Sequence, residues 1–353
     1  MSSRERLLLA INHSEPDHVP LCFKFWGRPF LLERDRRWSN QFERVEETLK
    51  FGLDDTVGFE PPRPLNSEVK IRRWRETPPW ERYPLLFKEY ETPKGTLRQV
   101  VRQTGDWPFG DDIPLCSDFN VPRSKKFLIE SVEDLEPLSC LFREPTDKEL
   151  KAFQGETERV ARFSERHGVL VECGDNFTPG GGDDVGILGA DALPWLCGIR
   201  NAMVATLRNP EFVHRLLDII LEWDMRYVRL LQEVDCVDVI VHRGWYENTH
   251  FWTLKAYRTF IMPRLRKLVE LVHQGGAKFC YIMSTGLMPL LETFKEMGVD
   301  ILYGVDPVQG GADLLRIKRE VGDRICLWGG VNSAITLGRG TKEDIEEAVT
   351  KAI

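Results

Sequence analysis

A (β/α)₈ barrel is the fold class that this 353-residue sequence predicts, and three observations point to it. From Thr146 onward, short and almost wholly apolar segments alternate with amphipathic helical stretches, the rhythm of a parallel sheet covered by helices. The strand-like segments number about seven, close to the eight of a closed barrel. The competing doubly wound nucleotide fold needs Gly-x-Gly-x-x-Gly after an early strand. Gly180-Gly181-Gly182 lacks that spacing and runs into Asp183-Asp184, which would repel a pyrophosphate.

The elements follow in order. Ser3 is placed to cap a helix over Arg4 to Asn12, and Pro16 and Pro20 break the chain before an apolar strand, Leu21 to Phe25. A second strand is read over Asp54 to Phe59. Residues 61–145 are rich in Pro and Trp, and Phe87 to Thr92 and Thr96 to Val101 alternate around Pro93-Lys94-Gly95 as a β-hairpin. This segment reads as an inserted lid. Five strands follow: Gly168 to Cys173, Val237 to His242, Ala277 to Met283, Val299 to Asp306 and Arg324 to Gly330. Between two of them, Leu254, Tyr257, Ile261, Leu265, Leu268 and Leu271 mark one buried helix face, ended by Gln274-Gly275-Gly276. With about 90 residues in the lid, the rest is near the ~250 of one barrel, so residues 1–353 read as a single domain.

Forty-eight Lys and Arg against 55 Asp and Glu, a net charge of −7, give no overall basic field for nucleic acid. No stretch approaches the ~18 apolar residues of a spanning helix, and the short apolar run near the N-terminus is flanked by charge, so a cytoplasmic protein without a membrane partner is expected. The eight cysteines include no Cys-x-x-Cys, which excludes zinc ribbons and dithiol redox motifs. Several sit in apolar runs, as in Lys278-Phe279-Cys280-Tyr281-Ile282, and read as buried thiols in a reducing compartment.

Barrel enzymes carry their chemistry at the C-terminal strand ends, which makes position a filter. It selects Lys24 and Arg28; Asp175 and Asn176; His242, Arg243, Tyr246, Glu247 and His250; Ser284 and Thr285; Asp306 and Gln309; Asn332 and Ser333. The stretch His242 to His250 is the densest. There Glu247 or His242 is a candidate general acid or base, or metal ligand, and Arg243 an anchor for a substrate carboxylate. The plain alternative is a loop whose charges face water or cap the next helix. Likewise, Asp175 to Gly180 reads equally as a turn bonding its own backbone. Trp26 and Trp245 either pack on a planar ligand or close the barrel core.

The opening Arg4-Glu5-Arg6-Leu7-Leu8-Leu9-Ala10-Ile11-Asn12-His13-Ser14-Glu15-Pro16-Asp17-His18-Val19-Pro20 closely resembles the start of uroporphyrinogen decarboxylase superfamily proteins. Phe51 to Asp55, Asn209 to Val213, Met283 to Gly286 with Glu296 to Asp300, and Lys318 to Asp323 with Leu327 to Val331 agree with it in order. The resemblance implies a barrel and two chemistries. One branch decarboxylates the acetate arms of a tetrapyrrole without cofactor, using an Arg-rich N-terminal loop. The other moves methyl groups to or from a corrinoid protein, usually with zinc held by a His-x-Cys pair and a further Cys.

The sequence departs from both patterns. Phe23 to Arg28 keeps about one cation of the decarboxylase loop, while Met283 and Thr285 stand where the zinc-binding His and first Cys belong, which argues against zinc there. His242, Glu247 and His250 offer a different metal set. The leading expectation is a methyltransferase of the methyltransferase-like branch. It would bind a small O-, N- or S-methyl donor through Lys24, Trp26, Arg28, Asn176, Arg243, Tyr246, Ser284, Asp306 and Asn332, with His242 or Glu247 protonating the leaving atom. No metal and no covalently bound cofactor are expected; the corrinoid would be carried by a partner protein, and a homodimer is compatible with this reading. The alternatives are a decarboxylase of uroporphyrinogen or a smaller acid, with Arg28 and Arg243 gripping carboxylates, and a non-catalytic ligand-binding barrel. Finally, the strand count stops near seven and the chain closes on an acidic helix, Thr341 to Ala352, so either a shortened chain lacking its closing strand or closing elements drawn from an unusual place are expected.

Overall fold

A computed structural model describes residues 1–23, 38–174 and 186–353. The chain opens with α1 (Ser3–Ile11) and α2 (Gln41–Lys50), then β1 (Thr56–Val57). An insert follows with β2 (Lys70–Glu76), β3 (Leu85–Thr92), β4 (Gly95–Arg102), β5 (Ser124–Lys126) and α3 (Leu135–Ser139). Next come α4 (Asp147–His167), β6 (Leu170–Cys173), α5 (Ala192–Cys197), α6 (Ile199–Arg208), α7 (Pro210–Gln232) and β7 (Val239–Arg243). Leu254–Ala256 (α8) leads through a π-helical turn, Tyr257–Ile261, into α9 (Met262–Gln274) and β8 (Lys278–Ile282). The chain ends with α10 (Leu291–Met297), β9 (Ile301–Val305), α11 (Leu314–Val321), β10 (Cys326–Gly329) and α12 (Lys342–Ala352). No helix among the described residues is long and apolar enough to cross a membrane.

The helix cap is Ser2 rather than Ser3. Glu5 stands three residues after Ser2, so the Ser2 hydroxyl accepts from the Glu5 N–H (3.2 Å) while the Glu5 carboxylate accepts from the Ser2 N–H (2.8 Å), a reciprocal capping box.

The main sheet is parallel throughout, in the order β1-β6-β7-β8-β9-β10, and Cys22 adds a parallel bridge to Asp54 just before β1. The described residues thus supply seven strand segments, matching the seven positions read from the sequence. The first is described only as far as Phe23. The sheet curls until its edges approach: the Trp328 indole N–H of β10 donates to the Cys22 carbonyl at 3.4 Å. This is the curled α/β barrel architecture that the strand and helix rhythm predicts.

The curl gives the sheet two unlike faces. Ile240, Phe279, Tyr281 and Leu302 face outward and pack with residues of α4, α7, α9 and α10 in the main core. Leu170, Val239, Val241, Cys280, Ile282 and Ile301 face inward and pack with Leu7 and Ile11 of α1, with Trp245, Tyr303 and Trp328 half-buried beside them. Helix α1 closes the N-terminal end of the strands: its Arg4 N–H donates to the carbonyl of Gly168, just before β6, and its guanidinium pairs with Asp238, just before β7.

The insert contains the expected hairpin, with Thr92 paired to Gly95 across Pro93-Lys94, and extends it to an antiparallel sheet β2-β3-β4-β5. Its anchorage is to the flank of the barrel. Phe142 packs edge-on against Trp223 of α7 at 4.7 Å, and the Ile129 N–H donates to the Leu196 carbonyl. It meets the residues after β7 through Asp118.

Candidate active site

Strand β7 decides where each candidate goes. Successive residues of a strand point to opposite faces. Val239 and Val241 face inward and Ile240 outward, so His242 belongs to the helix side and Arg243 to the barrel interior. The two most prominent candidates therefore lie on opposite sides of one sheet.

Arg243 is clamped at the C-terminal strand ends. Its guanidinium carbon lies 4.7 Å from the Trp195 ring centroid and 4.4 Å from that of Trp245, so two indoles flank the cation. Asp191 takes the Nε–H at 3.2 Å and also accepts the backbone N–H groups of Trp245 (3.1 Å) and Tyr246 (2.7 Å). Asp118 Oδ2 lies 3.8 Å from Nη1, while Nη2 is buried with no hydrogen-bond partner among the described residues. Burial pushes the Asp191 carboxyl up, to about 7, against the opposing pull of Arg243. Around the clamp, Ile282, Tyr303 and Trp328 stand in register with Arg243 across β8, β9 and β10. Tyr303 and Trp328 meet edge to face at 5.7 Å.

His242 and Glu247 are both fully buried on the other side. His242 Nε2 and Glu247 Oε2 are 2.9 Å apart, the Tyr281 hydroxyl donates to the same carboxylate oxygen, and the Tyr257 hydroxyl lies 3.2 Å from that of Tyr281. The other Glu247 oxygen accepts the Ala190 N–H at 2.6 Å. Burial works against an imidazolium, but Glu247, with Asp191 and Asp224 behind it, outweighs this and raises the His242 pKa. Gly189 makes the contact possible. At φ +50° a Cβ there would sit 2.4 Å from His242 Cε1 and 2.6 Å from Glu247 Oε1. The pair thus pins the turn Gly189–Asp191, and Asp191 in turn pins Arg243 and the backbone after β7. Asp224 of α7 holds the same turn, accepting from the Leu188 and Gly189 N–H groups.

The remaining candidates are distributed unevenly. Tyr246 is half-buried and donates its hydroxyl to Asp118 Oδ1 at 2.9 Å, with burial and Asp118 raising its pKa. Ser284 is half-buried at the end of β8. Asp306 and Asn332 bond each other at 2.6 Å; Asp306 also accepts the N–H groups of Val308 and Gln309, and Asn332 caps the turn at Ser333–Leu337. Their polar atoms hold these loops. Lys24, Trp26, Arg28 and Asn176 lie outside the described residues.

The alternative metal set does not assemble, because His250 is exposed while His242 and Glu247 are sealed behind the sheet. No three His, Cys, Asp or Glu side chains among the described residues converge as metal ligands. Asp118, Trp195, Asp191 and Tyr281 escaped the sequence reading, since each comes to the site from a distant segment. The two-residue period of β7 was the available signal for the opposite facing of His242 and Arg243.

Comparison with known proteins fits this architecture. The profile of the family described as uroporphyrinogen decarboxylase (URO-D) matches residues 195–353. No curated protein sequence matches the chain. Among solved structures, a methyltransferase from Methanosarcina mazei is similar over 100% of this chain and 89% of its own, with a TM-score of 0.56 at 17% identity, which shows a shared fold. A 3-keto-D-glucoside 4-epimerase from E. coli aligns over 64% of this chain and 83% of its own at 12% identity, with a TM-score of only 0.33, too low to bear on the fold. It is through residues 195–353, which carry β7 to β10 and the clamped arginine, that the chain is similar to the uroporphyrinogen decarboxylase family.

Proposed function

We propose that this protein is a methyltransferase whose small O-, N- or S-methyl donor carries a carboxylate held by Arg243. The observation that carries the reading is the guanidinium held over the rings of Trp195 and Trp245 at the C-terminal strand ends, with Nη2 unpartnered among the described residues. Held against two indoles and pinned at Nε, it is preorganised to accept an anion along its terminal edge. Trp245, Tyr303 and Trp328 supply apolar surface for the rest of a small donor. The barrel shared with a methyltransferase supports this branch.

In the proposed reaction the methyl acceptor is a corrinoid carried by a partner protein, a substrate rather than a resident group. The bond between the methyl carbon and its oxygen, nitrogen or sulfur breaks as the carbon bonds to cobalt. The electron pair stays on the heteroatom, which is then protonated. Arg243 orients the donor, and Asp191 keeps Arg243 in place. His242 and Glu247, sealed behind the sheet, serve as positioning residues through the turn Gly189–Asp191.

The test mixes the protein with a cobalt(I) corrinoid protein and a panel of methoxy, methylthio and methylamino acids, following methyl-cobalt formation spectroscopically. Methylation by an acid but not by its amide supports the reading; no methyl-cobalt from any donor overturns it. A second reading, decarboxylation of a small acid, draws on the same arginine, since one carboxylate suits one guanidinium. Release of CO₂ without methyl-cobalt would establish it instead.

A further inference from the structure

We infer that Asp118, delivered by the insert, is a specificity-determining residue that sets which anions Arg243 accepts. The inference rests on the reading of Arg243 as the donor's carboxylate anchor.

The guanidinium has few directions left. Its carbon lies over the rings of Trp195 and Trp245, and its Nε–H is spent on Asp191. The terminal edge remains, and there Asp118 Oδ2 stands 3.8 Å from Nη1. That separation is too long for a hydrogen bond, so Asp118 leaves the hydrogens available, yet it is short enough for the charge to be felt. The carboxylate is also held in place, because its other oxygen accepts from the Trp195 indole at 2.8 Å and the Tyr246 hydroxyl at 2.9 Å. An incoming anion therefore meets a cation already shared with a fixed negative charge. Such a site discriminates against extra negative charge: a compact monoanion is tolerated, and a dianion is repelled more strongly. The insert would thus filter ligands through the Asp118 side chain.

The experiment compares binding of methoxyacetate, its neutral amide and malonate to the full chain by calorimetry, for wild type, Asp118→Asn and Asp118→Glu. The Asn variant keeps an oxygen acceptor for Trp195 and Tyr246 but loses the charge. It should bind methoxyacetate about tenfold more tightly and malonate more tightly still, with the amide unchanged. Asp118→Glu, which restores the charge, should keep the wild-type preference. Equal acid-to-amide ratios in wild type and Asp118→Asn would overturn the inference, as would uniform weakening of all three probes, the mark of a purely structural role. Should wild type itself bind acid and amide alike, with Arg243→Ala no different, the carboxylate-anchor reading fails, and this inference with it.

Discussion

His242 and Arg243 are neighbours on one strand and belong to different worlds. Arg243 faces the barrel interior, where its cation lies over two indoles and one nitrogen lacks a partner among the described residues. His242 faces the helices, where it joins Glu247, Tyr281 and Tyr257 in a sealed network. The first arrangement leaves bonding capacity for a ligand. The second holds backbone, through the Glu247 bond to Ala190 and the tight approach of Gly189, and its one unpartnered atom among the described residues, His242 Nδ1, is buried on the helix side. A polar residue near a strand end is thus a candidate for chemistry only when the pleat turns it inward.

Substitutions at three positions can break or sharpen this contrast. The largest effect is expected on the inner face. Arg243→Ala should lower kcat/KM for a carboxylate donor about a hundredfold, corresponding to the loss of roughly 3 kcal/mol from a charge-assisted contact, with little change in melting temperature. Arg243→Lys should rescue poorly, because an ammonium cannot stack between two indoles. A melting temperature that collapses while kcat/KM holds would reverse the roles assigned to the two faces.

On the outer face, Glu247→Gln should cost about 2 kcal/mol of stability in urea unfolding, since an amide accepts fewer bonds from His242, Tyr281 and Ala190 and leaves the imidazole without its counter-charge. Donor affinity measured on the folded fraction should stay within a few-fold of wild type. A large loss of affinity at unchanged stability would place Glu247 in direct contact with substrate.

Asp191 links the faces and gives the smallest expected signal. Its pKa, raised by burial to about 7, lies above the ordinary 3.8, so the native state keeps a proton that the unfolded chain releases. That contribution to stability is present in acid and is lost as pH climbs through the interval between the two values. The raised His242 pKa acts in the same direction, its stabilisation fading as pH rises through the folded value. Asp191→Asn should therefore flatten the decline in stability between pH 5 and 7.5, read from urea midpoints at the two pH values. An unaltered slope would mean that Asp191 keeps its charge throughout.

Much of the frame was legible beforehand. Apolar segments such as Val239 to Val241 and Phe279 to Ile282 can only be strands covered on both faces, and the strand positions followed from them. The hairpin around Pro93-Lys94 was equally plain, because its turn residues and alternation are local properties. Arg243 could be named as an anchor because a cation past an apolar strand is visible in one dimension. Its surroundings were not. Trp195, Asp191 and Asp118 lie 48, 52 and 125 positions away in the chain, and only the packing of α5 and the insert against the end of β7 brings them to it. Local chemistry and hydrophobic period set the elements and their order, because both act over a few residues. Which side of the sheet is a site and which is scaffold was decided by the curl of that sheet, because burial depends on what closes over each face.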